Sequence, residues 1–285
     1  MNVADAMTPR EEVVTVALPG TREDVLDYLQ KRSFSSVPVI ASAESDEPEY
    51  RGLISRQSLI DQPDEDQLVM LLEEEVPTTT AETDVEAVAQ LMVEEGARRV
   101  PVVDGSFEGI VTVTDVIHAI ASGDAAVDAT AGEYATDDVN TTYDGAPLVV
   151  AEAELSYANV PYTIALDDHG VMSGILTEVD VIEVARIVEG EEATGNNFPD
   201  QDAEWSWEGI KGVGSRTLPT RDIELPTGPV SEFMTIDVVT VTRNRSVQET
   251  AQAMISNDVE QIPLVTGERL VGIVRDVDLL RALYE

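Results

Sequence analysis

The sequence predicts an α+β protein made of four β-α-β-β-α repeats, and three observations lead there. The heptapeptide GIVTVTD (Gly109–Asp115) returns as GILTEVD (Gly174–Asp180), as GIVRDVD (Gly272–Asp278) and, altered further, as GLISRQS (Gly52–Ser58). In each copy a glycine leads an apolar strand end and a polar residue follows at the strand-to-helix junction. Three residues later another polar side chain falls in the first helical turn. A proline stands early in the strand preceding each copy: Pro38, Pro101, Pro161 and Pro263. The leading glycines are 57, 65 and 98 residues apart, which locates an insertion between Glu191 and Thr227. The implied repeats are 1–61, 62–122, 123–190 and 228–285, with the insertion at 191–227.

The first repeat opens on AMTPREEVVTV, which reads as a strand around Val13 to Val16. Pro19 and Gly20 break it. Thr21 then caps a helix through Arg32, with Val25, Leu26 and Leu29 on one face. SVPVIA (Ser36–Ala41) and YRGLIS are the next strands, leading into a helix that opens at Arg56. In the second repeat Thr78 to Thr80 end a strand, and Asp84 caps a helix with Val85, Val88, Leu91 and Met92 inward. RRVPVVD and FEGIVTV form a hairpin turning at Asp104-Gly105. Thr114 to Ala121 carry the closing helix, which Gly123 ends. The third repeat is degenerate at its front, with a turn at Asp144-Gly145 and a short, imperfect helix from Pro147 to Ala153. NVPYTIALDDHG and VMSGILTEVD restore the hairpin, followed by a helix from Val179 to Val188. In the fourth, FMTIDVVTV precedes a helix capped by Ser246, with Val247, Ala251 and Met254 on its face. QIPLVTGERLVGIV turns at Gly267, and Asp276 to Tyr284 form the terminal helix.

Composition narrows the function classes. A hydrophobic content of 43% over 285 residues supports one or two packed cores and excludes a disordered chain. The absence of cysteine removes disulfides and thiolate metal sites. No secretory leader and no apolar run of membrane-spanning length is visible, so a cytoplasmic protein is expected. The net charge of -39 is spread along the chain, with only Lys31 and Lys211 as lysines, and it repels nucleic acids and anionic lipid. Such a composition resembles that of proteins from salt-accumulating haloarchaea. At roughly molar salt the Debye length shrinks to about 3 Å and the self-repulsion largely vanishes. The acidity then reflects the solvent rather than the function.

The order strand–helix–hairpin–helix, the VPVVD strand and the G-h-h-T-x-x-D ending together resemble the CBS domain (cystathionine β-synthase type). The likeness is strong in repeats two and four, moderate in one, and weaker at the front of three. It implies two Bateman modules, one with two and three with four, as in stand-alone archaeal CBS proteins and the γ subunit of AMP-activated protein kinase. It also implies an adenine nucleotide (AMP, ADP or ATP) or S-adenosylmethionine held between paired repeats, with no cofactor required. A helix N-terminus with a hydroxyl at its mouth suits a phosphate, and a carboxylate three residues on can accept from a ribose diol.

Carried over residue by residue, the likeness makes Thr112 and Asp115 the hydroxyl and ribose carboxylate of repeat two. Arg98 and Arg99 become its phosphate cations, ahead of Val100 and Pro101, whose strand walls the base. Repeat three keeps Thr177 and Asp180, but Ala158 and Asn159 replace the arginines, which suits a neutral adenosyl ligand or a phosphate served by another repeat. Repeat four keeps Asp278 and has Arg275 in the hydroxyl position, where it either reaches phosphate or fills an empty cleft. Repeat one, with Ser55 and Ser58, is expected to be empty or structural. Each carboxylate has a plainer reading, since an acid in the first turn favours the helix dipole without any ligand. The arginine pair likewise reads as a solvated strand start.

Catalytic groups are sparse. His118 and His169 lack a serine or cysteine elbow and a second histidine at metal-ligand spacing, and Asp167, Asp168 and His169 read as a hydrated loop. In the insertion, Trp205 and Trp207 with Lys211, Arg216 and Arg221 either clamp the modules or dock a partner. The expectation is a regulatory adenine-nucleotide-binding protein acting through ligand-dependent conformation or association, as a homodimer or on an effector protein. No nucleic acid polymer, membrane or metal is expected to bind it, and it is not expected to be an enzyme. The alternative is a ligand-free CBS scaffold with remnant motifs.

Overall fold

Side chains alternate along strands and recur every three or four residues along helices, and each repeat uses both periods to close a small core. The computed structural model describes residues 1–31, 36–41, 48–55, 58–59, 62, 65–189 and 221–285. The tryptophan-bearing part of the insertion and Arg56, the expected opening of the helix that closes repeat 1, lie outside the described residues, while Ser58 and Leu59 are helical.

Repeat 1 contributes β1 (Thr8–Pro9), β2 (Val16–Ala17), α1 (Arg22–Lys31), β3 (Ser36–Ile40) and β4 (Tyr50–Ser55). Thr21 donates its N–H to Asp24 at 2.7 Å at the start of α1. Val25 and Leu29 of that helix pack with Val37, Val39 and Ile54 of the hairpin. Repeat 2 contributes α2 (Val85–Glu94), the hairpin of β5 (Arg99–Asp104) and β6 (Ser106–Thr112), and α3 (Val113–Ser122). Val85, Val88, Ala89 and Met92 are the buried stripe of α2. Gly123 ends α3 in the left-handed region at φ 83°, where a glycine meets no Cβ penalty.

Repeat 3 contributes β7 (Thr141–Tyr143), α4 (Leu148–Ala158), β8 (Tyr162–Leu166), β9 (Met172–Thr177) and α5 (Glu178–Val184). The ribbon of β10 (Arg186–Glu189) and β11 (Arg221–Glu224) follows. Repeat 4 contributes α6 (Val247–Asn257), β12 (Gln261–Thr266), β13 (Arg269–Arg275) and α7 (Asp276–Leu280). The chain divides into two compact units, Met1–Thr136 with Val239–Leu264 and Ile273–Glu285, and Asp137–Val238 with Val265–Gly272.

Several elements differ from the sequence reading for identifiable reasons. The strand expected around Val13 to Val16 shrinks to Val16–Ala17, because Arg10–Glu12 form a 3-10 turn. Thr78 to Thr80 contribute a single bridge, Thr79 with Val102, instead of a strand. The helix placed at Pro147 to Ala153 runs on to Ala158 and closes on Asn159, whose N–H reaches the carbonyls of Leu155 and Ser156. Exposed Val149 and Val150 obscure its stripe of Leu148, Ala151 and Leu155. The helix expected to reach Val188 stops at Val184, since Ile187 and Val188 pair with Ile223 and Asp222 beyond the insertion. The terminal helix is α-helical only to Leu280 and 3-10 thereafter.

Leading segments are exchanged between repeats. Thr8 and Pro9 of repeat 1 pair with Ile110 and Gly109 of repeat 2, and Glu73 of repeat 2 pairs with Leu53 of repeat 1. Thr136 bridges Ile273, and Thr235 bridges Ile175, so repeats 3 and 4 trade segments in the same way. The heptapeptide glycines admit this approach. A Cβ on Gly109 would collide with the Thr8 carbonyl oxygen, and one on Gly52 with that of Glu73. These exchanges define two pairs, one with two and three with four.

Candidate functional site

The polar pair of the heptapeptide is, first of all, a helix cap. Thr112 donates its N–H (2.8 Å) and Oγ1–H (2.7 Å) to Asp115 Oδ2, and the Asp115 N–H returns to Thr112 Oγ1 at 3.3 Å. Thr177 and Asp180 repeat the arrangement at 2.8, 2.7 and 3.4 Å. Such reciprocal bonds satisfy N–H groups that a helix start leaves orphaned. Ser55 and Ser58 do the same with hydroxyls, each backbone N–H meeting the other's Oγ at 2.9 and 3.1 Å. In repeat 4 the arginine takes over: Arg275 Nε and Nη2 grip Asp278 Oδ2 and Oδ1 at 3.0 and 2.8 Å.

The caps differ in what they leave unused. Both Thr112 bonds fall on Oδ2 of Asp115, and both Thr177 bonds on Oδ2 of Asp180. Among the described residues Oδ1 of each accepts no hydrogen bond. Asp278 has both oxygens taken by Arg275, and Ser58 has no carboxylate to offer. Burial pushes the Asp115 carboxyl above its ordinary value of 3.8, against the lowering pull of the two Thr112 bonds and of His118.

Register sorts the remaining candidates by sheet face. Arg99 stands opposite Thr112 and Pro101 opposite Ile110, which is also the partner of Thr8. By strand alternation Arg99, Pro101, Ile110, Thr112 and Thr8 share one face. Val100, opposite Val111, has the other parity, and both are fully buried in the core. The corresponding positions in repeat 3 are Tyr162, Ile164, Ile175, Thr177 and Thr235. Ile164, not Pro161, therefore fills the register of Pro101, and Pro161 precedes the strand. Ala158 and Asn159 end α4, so the residues standing where Arg98 and Arg99 stand are Pro161 and Tyr162.

Arg98 is committed elsewhere. Its Nη1 and Nη2 donate to Asp276 Oδ1 and Oδ2 at 3.1 and 2.6 Å, and Nη2 also reaches Glu260 at 3.1 Å. Burial works against the Arg98 charge, but Asp276 and Glu260 outweigh it and hold the guanidinium above its ordinary value.

The bridging residues Thr8, Thr136, Thr235 and Glu73 escaped the sequence reading. For Thr8 and Thr235 the signal was the threonine that follows the methionine in AMTPREEVV and FMTIDVV; Thr136 lacks it. Glu73 differs in chemistry, since its carboxylate accepts from Ser55 Oγ inside repeat 1. His118 is exposed on α3, and Asp167 Oδ1 accepts the N–H groups of His169 and Val171 in its turn. Among the described residues no group of three His, Asp or Glu could hold a metal, and no helix is long and apolar enough to cross a membrane.

The CBS domain family matches residues 3–65, 70–122 and 230–285. The chain belongs to that family. CBS domains are regulatory, non-catalytic modules, and the pairs seen here are Bateman-module-like. The chain is 24% identical over 286 residues to an uncharacterised protein of Methanocaldococcus jannaschii, covering 99% of this chain and 62% of that protein. A crystal structure of an uncharacterised conserved protein from Pyrococcus horikoshii superposes with a TM-score of 0.68 at 26% identity, covering 99% and 100% of the two chains. A crystal structure of another M. jannaschii protein, described as a proposed archaeal homologue of the γ subunit of AMP-activated protein kinase, gives 0.66 at 18% identity, covering 99% of each. That last likeness is one of fold.

Proposed function

We propose that the chain is a regulatory adenine-nucleotide sensor whose principal site is the Arg99, Thr112, Asp115 and Thr8 face of repeat 2. The observation that carries this is the Oδ1 of Asp115, which accepts no hydrogen bond among the described residues, beside an intact cap. A ribose diol needs such an acceptor, and the helix start and Arg99 suit the phosphate. The description of the M. jannaschii fold relative as a kinase γ-subunit homologue supports the same reading. Repeat 3 retains the carboxylate but has Tyr162 for Arg99, which suits an uncharged adenosyl group. In repeat 4 Arg275 closes the carboxylate, and in repeat 1 Glu73 adds negative charge, so these two stay empty.

Calorimetry with AMP, ADP, ATP and S-adenosylmethionine in multimolar KCl tests the reading. The expected result is binding that Asp115→Ala weakens about 100-fold, the loss of two hydrogen bonds to a charged group. A second reading, a ligand-free CBS scaffold, draws on the fact that every heptapeptide pair already serves as a cap. It prevails if no nucleotide binds; binding that Asp115→Ala leaves unchanged would instead overturn the site assigned to repeat 2.

A further inference from the structure

We propose that Asp276 is an internal competitor for the phosphate of repeat 2, holding Arg98 until a phosphate-bearing ligand takes its place. The proposal rests on the reading that repeat 2 takes a nucleotide. A guanidinium fork presents two parallel N–H donors that fit a carboxylate and a phosphate equally, and Asp276 fills both at 3.1 and 2.6 Å. Asp276 is only 4% exposed. A carboxylate buried to that degree needs hydrogen-bonding partners to replace its lost hydration. Capping explains it only in part: Asp276 Oδ1 also accepts the Val277 N–H at 2.7 Å, but Asp278 closes the cap of the same helix and leaves the Arg98 fork unaccounted for. The corresponding first helical residue is Val113 in repeat 2.

The surroundings of the pair fit an exchangeable contact. The N–H of Val113 donates to the Arg98 carbonyl, and the N–H of Asp276 donates to the Glu260 carbonyl. Arg98 and Glu260 therefore hold the same position in their two repeats, and opposite charges meet where α2 and α3 pack against α6 and α7. A cleft of about 130 Å³ opens beside them, lined by Thr114, His118, Asp258, Glu260 and Asp276. Arg98 itself is 39% exposed at its side chain, so an incoming anion can reach it. The Arg98 backbone is bonded to the first turn of α3, the turn that Thr112 and Asp115 cap. A phosphate on Arg98 and a ribose on Asp115 would thus load one helix start. Displacing Asp276 frees the contact between repeats 2 and 4, which links occupancy of the site to the packing of those helices.

The test is calorimetric titration of the full chain with AMP and with adenosine in about 2 M KCl, where long-range charge effects are screened. Asp276→Asn is expected to tighten AMP at least about fivefold and to leave adenosine unchanged. Glu260→Gln, at an exposed position, is expected to tighten AMP about twofold and covers the case in which Asp276→Asn fails to fold. Asp258→Asn is the charge control: it lines the same cleft, and its left-handed backbone (φ 53°) accepts asparagine. If wild type binds AMP and neither Asp276→Asn nor Glu260→Gln tightens it, the competition is overturned while the nucleotide reading stands. Equal gains from Asp258→Asn would also overturn it, as generic electrostatics. If neither wild type nor any variant binds AMP, both readings fall together.

Discussion

Repeats 2 and 3 carry the same cap on the same sheet face, with bond lengths that agree within 0.1 Å. Around that cap they part company. Where repeat 2 has Arg98 and Val100, repeat 3 has Pro161 and Thr163; Thr8 and Thr235 bridge their hairpins alike, but Gly174 also meets the Met234 side chain, whereas Gly109 meets only backbone of Thr8 and Pro9. The cap depends on backbone geometry and two adjacent side chains, so it survives in a repeat that has diverged elsewhere. Ligand chemistry depends on single residues of neighbouring strands, which change without disturbing the fold. A shared motif therefore reports shared backbone geometry, and the site must be judged from what surrounds it.

The largest test of this comparison concerns the glycines. Gly109→Ala is expected to cost about 3 kcal/mol, because the new Cβ meets backbone atoms of Thr8 and Pro9 that cannot move alone. Gly174→Ala should cost less, since two of its three nearest atoms belong to the flexible Met234 side chain. Denaturant titrations of both variants measure the difference, and equal costs would break the distinction.

The core-facing position gives a mirrored pair. Thr163 is fully buried and its hydroxyl has no partner among the described residues, whereas Val100 occupies the same register with an apolar side chain. Val100→Thr is expected to destabilise by about 2 kcal/mol and Thr163→Val to stabilise by about 1 kcal/mol. A smaller effect comes from the site face. Arg99→Tyr, which copies repeat 3, should weaken AMP about tenfold, one charge-assisted contact, and leave adenosine unaffected.

The pH response is the finest discriminator. Burial holds the Asp115 carboxyl above its ordinary 3.8, so the folded state binds its proton more tightly than the unfolded chain. The Asp115 contribution to stability therefore declines as pH rises from 3.8 through the raised value, and Asp115→Asn removes that slope. Binding runs the other way. Ribose needs the ionised form, so affinity for AMP is expected to fall as pH drops through the raised pKa, earlier than for an exposed aspartate. Denaturant titrations between pH 4 and pH 7 follow the first trend and nucleotide titrations the second, both under the salt conditions above.

Much of this molecule was legible in one dimension because its signals are local. The heptapeptide marks a strand end and a helix start through φ and ψ preferences and a three-residue hydrogen-bond loop, and the caps at Thr112, Thr177 and Ser246 fall where those rules place them. Hydrophobic periods likewise located α1, α2 and α6. Tertiary structure alone decided which residues share a face and which repeat supplies them. The proline count misled in repeat 3 because register is set by pairing across the hairpin, which aligns Ile164 with Ile175. Arg98 and Arg99 are adjacent in sequence, yet only Arg99 is paired in the hairpin, opposite Thr112, while Arg98 meets Asp276, 178 residues away. Thr8 and Glu73 enter neighbouring repeats through backbone bridges that no local pattern encodes. Four similar heptapeptides were written in the sequence; folding made them four different sites, because a cap needs only its own turn and a binding site needs its neighbours.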